Sequence, residues 1–213
     1  MTTHYDDEAQ AERLKQWWSE NWKALAAGLV IGLGAIFGWE GWQRHQVAQA
    51  TQASRMYEDL KQALATASAT EAQAIADRLV TDHASSPYAS SAQLHLAAAA
   101  VKDGRLDDAL QALAWVRNNG TDEGLRQVAV LREARVLWQQ GKPDDALKML
   151  ERDGGEFAAM YAELKGDILL AKGERSAARA AYEQALDAEA QADPAPRGDL
   201  QRKLDDLADV VQS

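Results

Sequence analysis

The sequence predicts an all-α protein, with a single transmembrane helix near the N-terminus followed by a solenoid of paired helices. Three observations carry that reading. The 213 residues include only 4 prolines, and long alanine-rich tracts favour helix throughout. Five of the seven tryptophans (Trp17, Trp18, Trp22, Trp39 and Trp42) bracket an uncharged apolar stretch. Farther on, a glycine-led phrase recurs at a nearly constant interval. The expected organisation is an acidic tail over 1–21, a transmembrane helix over 22–42, helical repeats over 43–196 and a capping helix over 197–213.

Sixteen residues from Ala24 through Trp39 carry no charge. At about 1.5 Å per residue they reach roughly 24 Å, short of a hydrocarbon core of about 30 Å. Counted from Trp22 to Trp42, the rod is about 31 Å long and fits. Lys23 can extend its ammonium to the headgroups, and Glu40 falls at the far boundary. Trp17, Trp18, Trp22, Lys23, Trp39 and Trp42 are therefore the expected anchors at the lipid interfaces. Leu25, Leu29, Val30, Ile31, Leu33, Ile36 and Phe37 together favour insertion by roughly 2–4 kcal/mol, less what the glycines erode.

Two other readings compete for this stretch. A cleaved signal peptide would use Ala48-Gln49-Ala50 as its small-residue site, but that site lies beyond the charged Glu40 and Arg44. A buried core helix is the other. The glycines also read two ways. Gly28 with Gly32, and Gly34 with Gly38, form two small-residue pairs on roughly opposite faces, each able to seat a second transmembrane helix. Glycine is equally a common component of membrane helices. Arg13, Lys15 and Lys23 before the span, against Arg44, Arg55 and Lys61 after it, favour a cytoplasmic N-terminus by a small margin.

Beyond Gln43 the apolar residues keep helical spacing and no strand alternation appears. Gly104-Arg105-Leu106-Asp107-Asp108-Ala109-Leu110 returns as Gly141-Lys142-Pro143-Asp144-Asp145-Ala146-Leu147. A looser copy begins Gly173-Glu174-Arg175-Ser176-Ala177-Ala178. The glycines are 37 and 32 positions apart, bracketing the period of about 34 of tetratricopeptide repeats. The physics is that of a helical hairpin. Glycine (Gly104, Gly141, Gly173) ends the first helix in a left-handed turn, acidic residues open the second at its positive end, and a small residue (Ala109, Ala146, Ala178) lets the two approach. Ala97, Ala134 and Gly166 precede the glycines by seven positions and place a small residue within each first helix. Leu113, Leu150 and Tyr182 supply the bulky contact in each second helix. Thr70 to Thr81 reads as an earlier second helix, whose partner runs from about Gln43 through Leu64. Asp199 to Val211, after Pro194 and Pro196, reads as the capping helix of a tetratricopeptide-like α-solenoid. A plain helical bundle is the competing architecture.

Lys+Arg 23 against Asp+Glu 33 gives a formal charge of −10, which argues against nucleic acid as a partner. The absence of cysteine excludes disulfides, thiolate zinc sites and a cysteine nucleophile. His4, His45, His83 and His95 are scattered without metal-ligand spacing, and His45 and His83 fall near boundaries where exposure is expected. Asp107-Asp108 and Asp144-Asp145 suit the first turns of helices better than acid catalysis, and Asp205-Asp206 suits a solvated face. No catalytic, metal or cofactor residue emerges, so a binding protein rather than an enzyme is expected. First helices such as Gln93–Val101 and Arg126–Trp138 would form the binding wall, which Ala97 to Ala100 would make smooth. Trp115 and Trp138 stand either as core packing residues or as exposed anchors for a partner.

Two phrases carry a resemblance. Lys15-Gln16-Trp17-Trp18-Ser19-Glu20-Asn21-Trp22-Lys23-Ala24-Leu25-Ala26-Ala27-Gly28 precedes and enters the apolar stretch, and Gly38-Trp39-Glu40-Gly41-Trp42-Gln43-Arg44-His45-Gln46 leaves it. With the repeats, they make the whole chain resemble the YfgM family, ancillary subunits of the bacterial SecYEG translocon. The resemblance implies an inner-membrane protein with a cytoplasmic N-terminus and a periplasmic repeat domain. It further implies association with the translocon and with the membrane-anchored periplasmic chaperone PpiD, and passage of exported client proteins to periplasmic chaperones. A tie to the Rcs envelope-stress response belongs to the same implication. The family offers no catalytic motif whose residues could be carried over. The alternative is a regulatory tetratricopeptide scaffold at the inner membrane, concerned with envelope stress or lipopolysaccharide control and without a translocon role.

Overall fold

Repeated helix-start and helix-stop signals divide the chain into nine α-helices among the residues described in the computed structural model, 3–192 and 198–209. They are α1 (Thr3–Ala65), α2 (Ala69–Asp82), α3 (Pro87–Lys102), α4 (Leu106–Asn119), α5 (Glu123–Gln139), α6 (Pro143–Met149), α7 (Ala158–Ala171), α8 (Arg175–Ala192) and α9 (Gly198–Asp209). A single 3-10 turn at Gly155–Phe157 joins α6 to α7. Two compact units result, Met1–Thr51 and Gln52–Ser213, and α1 contributes to both. Pro194, Pro196 and Val211 lie outside the described residues.

Within the second unit each hairpin turns in the same way. Gly104, Gly141 and Gly173 take φ of +75°, +75° and +82°. In each turn the following residue's amide reaches back to the helix: Arg105 N to Ala100 O at 2.8 Å, Lys142 N to Leu137 O at 3.0 Å, Glu174 N to Leu169 O at 2.9 Å. These bonds satisfy carbonyls that the helix end leaves without a partner. A fourth turn has the same bonds, Ser68 N to Ala63 O at 2.9 Å, but the left-handed position is held by Ala67 at φ +56°. The alanine makes this turn invisible to a search for glycine.

Where the two helices of a hairpin cross, one small and one large side chain meet. Ala97 and Leu113 share the core cluster of the first recognisable repeat, Ala134 and Leu150 share the next, and Gly166 lies against Tyr182 in the third; all the non-glycine members are buried. Members of each pair are 16 positions apart. At Gly166 the glycine is obligatory, since a Cβ there would lie 2.4 Å from the Tyr182 ring. The same register in the earliest hairpin gives Leu60 and Ala76, both fully buried in one core cluster. There the large residue sits on the first helix and the small one on the second. The alanines five positions past each turn (Ala72, Ala109, Ala146, Ala178) are fully buried and let the helix starts close in.

Four apolar clusters follow one another along the stack, as expected where each hairpin touches only its neighbours. Two helix starts carry side-chain caps: Ser86 Oγ accepts from Tyr88 N at 3.2 Å, and Asp122 Oδ1 accepts from Leu125 N at 2.8 Å. At the far end α9 covers the last hairpin with Leu200 and Leu207. Its Lys203 Nζ donates to Glu163 at 2.8 Å and to Asp167 at 2.6 Å, and Tyr182 Oη donates to Asp167 at 2.8 Å. Burial alone would lower the Lys203 pKa, but the two carboxylates outweigh it and raise it. Burial, reinforced by Asp167, pushes the Tyr182 phenol up.

Two expectations are corrected. His83 is buried rather than exposed, because the chain folds over the end of α2 and α3 starts at once; its Nε2 has no hydrogen-bond partner. Ala97 and Ala100 are buried against neighbouring helices, while Ala98 is exposed and Ala99 half-buried, so only part of the alanine run is core.

These features set stabilities. Gly166→Ala should lower the urea unfolding free energy by about 1–3 kcal/mol through overpacking against Tyr182. Gly141→Ala should cost about 1 kcal/mol, and Ala67→Gly should gain about 0.5–1 kcal/mol by relieving the left-handed alanine. A second prediction concerns Tyr161, whose Oη donates to Gln127 O at 2.7 Å and whose pKa burial pushes up to about 12. The unfolded phenol ionises near 10, so the fold's preference for the neutral form is intact below pH 10. It is lost as pH climbs from about 10 toward 12. Tyr161→Phe should make the alkaline fall in melting temperature shallower.

Candidate functional site

The first unit exposes an unusual apolar surface. Leu25, Leu29, Val30, Ile31, Leu33, Ile36 and Phe37 are all exposed, with Ile31 at 72%. The helix from Leu25 onward is long and apolar enough to cross a membrane, and none of its apolar window is buried in protein. Trp17, Trp18, Trp22, Trp39 and Trp42 are exposed at its two ends, as is Lys23. The Trp39 and Trp42 rings approach to 5.2 Å, and Arg44 pairs with Glu40 at 2.6 Å. So the carboxylate at the boundary has its own cation. Gly28, Gly32, Gly34 and Gly38 have no non-local atom within 4 Å of where a Cβ would stand, which leaves both small-residue faces open.

The second unit contains a groove of about 990 Å³, at the upper end of the range typical of ligand pockets. Its two walls are second helices: Thr70, Gln73 and Asp77 on α2, and Asp108, Gln111 and Trp115 on α4. Its base is α3, through Gln93, Leu96 and Ala100. On each helix these residues recur at three- and four-residue steps and share one face. The expected wall of first helices is thus met only by α3, since no α5 residue from Arg126 to Trp138 borders the groove.

A bridge found farther along the stack has no counterpart at the groove. Farther along, the start of each second helix is tied to the end of the next first helix. Gln140 Nε2 donates to Asp107 at 2.8 Å, and Lys172 Nζ donates to Asp144 at 2.8 Å, holding that carboxyl below its usual range. The acidic helix starts therefore bridge repeats as well as favour their helix dipoles. The equivalent positions at the groove are Thr70 and Asp103, and no hydrogen bond joins them; Asp103 accepts from Arg105 instead.

Trp115 combines the two roles considered for it. It is half-buried, packs against the two clusters that flank α3, and borders the groove. Trp138 is half-buried against the third cluster and does not line the groove. On α1 and α3, Tyr57 Oη lies 2.8 Å from His95 Nε2, and Tyr88 stacks beside Tyr57 at 5.6 Å. Burial first, then the charges of Arg132 and Lys61, lower the His95 pKa. Among the described residues no group of three His, Asp or Glu side chains could hold a metal ion. Sequence reasoning missed the groove because its walls are polar stripes of ordinary solvated type. The amide at Gln93, on an otherwise apolar helix face, is the signal that could have found it.

Comparison with known proteins follows the same division of the chain. The family described as "Tetratricopeptide repeat-like domain" matches residues 15–209, starting before the apolar helix and ending within α9. The Escherichia coli (strain K12) protein named "Ancillary SecYEG translocon subunit" is 34% identical over 98% of this chain and 100% of its own. A protein of the same name from Haemophilus influenzae is 34% identical over 87% of this chain and 91% of its own. That from Neisseria gonorrhoeae is 30% identical over 97% and 100%.

Tryptophan depth offers a direct check on the first unit. In vesicles of lipids brominated near the headgroup, most of the fluorescence should be quenched, because five of the seven tryptophans flank the apolar helix. The residual emission should disappear when Trp115 and Trp138 are both replaced by phenylalanine.

Proposed function

This chain belongs to the tetratricopeptide repeat-like family that includes the ancillary SecYEG translocon subunits, and from that membership we propose that it is a membrane-anchored interaction module of the translocon. The observation that carries the proposal is collinearity. The family match runs through the apolar helix and the repeats together, over almost the whole chain, so anchor and stack are retained as one unit. The first unit supplies an apolar helix with tryptophans at both ends, whose side chains find lipid where they find no protein. The second supplies stacked helical hairpins, an architecture that presents extended surfaces to proteins.

The finer reading is that the N-terminus is cytoplasmic and the repeats periplasmic. They stand beside the translocon and the membrane-anchored chaperone PpiD, where exported chains pass to periplasmic chaperones. Tethering makes this arrangement effective, because two partners held at one membrane meet at an effective concentration high enough for weak contacts to matter. The role is binding, with no chemical step assigned to any residue.

Deleting residues 2–42 should release a soluble, folded repeat unit that no longer co-purifies with the translocon. Co-purification at wild-type levels would contradict the proposal. A phosphatase reporter fused after Ser213 should be active, since the enzyme works only outside the cytoplasm. An inactive reporter would place the repeats in the cytoplasm and favour the regulatory-scaffold reading.

A further inference from the structure

Helix α4 ends on Asn119 and is followed at once by Gly120, a pair with a chemical liability. An asparagine carboxamide is attacked by the next backbone nitrogen most readily when that residue is glycine, because no Cβ hinders the approach. Packing imposes the glycine here. Gly120 is buried, and a Cβ on it would lie 2.7 Å from Val116 O, 3.2 Å from Arg126 Cγ and 3.3 Å from Ser90 Oγ. Asn119 itself is exposed, so water reaches it.

The fold engages both reacting groups. Asn119 Nδ2 donates to Trp115 O at 2.9 Å, and the Gly120 N–H donates to Val116 O at 2.8 Å. That second bond points the N–H back along the helix, away from the asparagine side chain. Gly120 O accepts from Arg126 Nη1 at 3.2 Å, which ties the junction to α5.

We propose that Asn119 is a latent deamidation site, held inert by these bonds, which reacts when the end of α4 unwinds and whose conversion then loosens the α4–α5 junction. In the open segment the Gly120 nitrogen gives its proton to solvent, bonds to Asn119 Cγ and expels Nδ2 as ammonia. Water then opens the cyclic imide at either carbonyl, leaving aspartate or isoaspartate, with no change of oxidation state. Either product lacks the donor to Trp115 O and places a carboxylate at the negative end of the α4 dipole. Isoaspartate also routes the main chain through the side chain, adding a carbon before Gly120 and displacing its bonds to Val116 and Arg126. A passing unfolding event in this hairpin is thereby recorded as a permanent change. The inference goes beyond the membrane-module reading and does not depend on it.

The test incubates the full-length protein in detergent micelles under mildly alkaline conditions, beside a synthetic peptide spanning 115–123. Mass spectrometry with enzymatic methylation of isoaspartate follows position 119 in each. The folded chain should convert roughly twentyfold more slowly than the peptide, since each of the two engaged hydrogen bonds is worth about fivefold. In urea the chain should convert at the peptide's rate. Asn119→Gln, whose longer side chain cannot close the five-membered ring, should form no isoaspartate at 119. Wild type refolded after conversion in urea should melt lower than Asn119→Gln carried through the same treatment. The proposal is overturned if the folded chain converts as fast as the peptide, or if urea brings no acceleration. It is equally overturned if converted wild type and Asn119→Gln melt alike after refolding.

Discussion

Two helices joined by a three-residue turn can lie together only if the side chains at their crossing share the space of roughly one bulky residue, because protein interiors are close-packed. The repeat unit meets this constraint in each of its hairpins with a pair 16 positions apart. Ala97 with Leu113 puts the large member on the second helix, and Ala134 with Leu150 puts it at that helix's C-cap. Gly166 with Tyr182 takes the same arrangement to its limit, the larger ring being matched by loss of the last Cβ. Leu60 with Ala76 reverses the order and keeps the sum. The left-handed turns, the buried alanines just past them and the spacing of the apolar clusters all serve that crossing.

The reversal shows what was and was not legible in the sequence. Three hairpins could be read directly, since glycine at the turn, small residue before it and acidic start after it are each local signals. The earliest hairpin breaks two of those signals at once, with Ala67 in the glycine position and the large residue on the wrong side, yet its backbone bonds are the same. Its second helix was still evident from apolar spacing, because Ala72, Ala76 and Leu79 lie on one face. The burial of His83 was not evident: a histidine at a helix boundary reads as solvated unless one knows that α3 begins four residues later. Nor was the groove, where no bond joins Thr70 to Asp103 as Gln140 joins Asp107 farther along, and no single residue announces a missing bridge.

The two units solve the same problem by different means. In the repeats, apolar side chains are buried by their neighbours, and the remaining charges at helix starts tie one hairpin to the next. In the first unit nothing among the described residues covers the row from Leu25 to Phe37, and water is a costly neighbour at roughly 25 cal/mol per Å² of apolar surface. In the proposed function lipid would resolve that cost, with the tryptophans at both ends at the depth where lipid meets water. An anchor of this kind asks little of the repeats beyond their own stability, which leaves their surface free to be shaped by what it binds.

That division makes membrane insertion the claim on which the functional account stands. Alkaline carbonate extraction of bacterial membranes carrying the full-length protein measures it most directly, since carbonate strips peripheral proteins and leaves spanning helices embedded. The account predicts that the intact chain stays with the membrane pellet. Recovery of the full-length chain in the carbonate supernatant would contradict it.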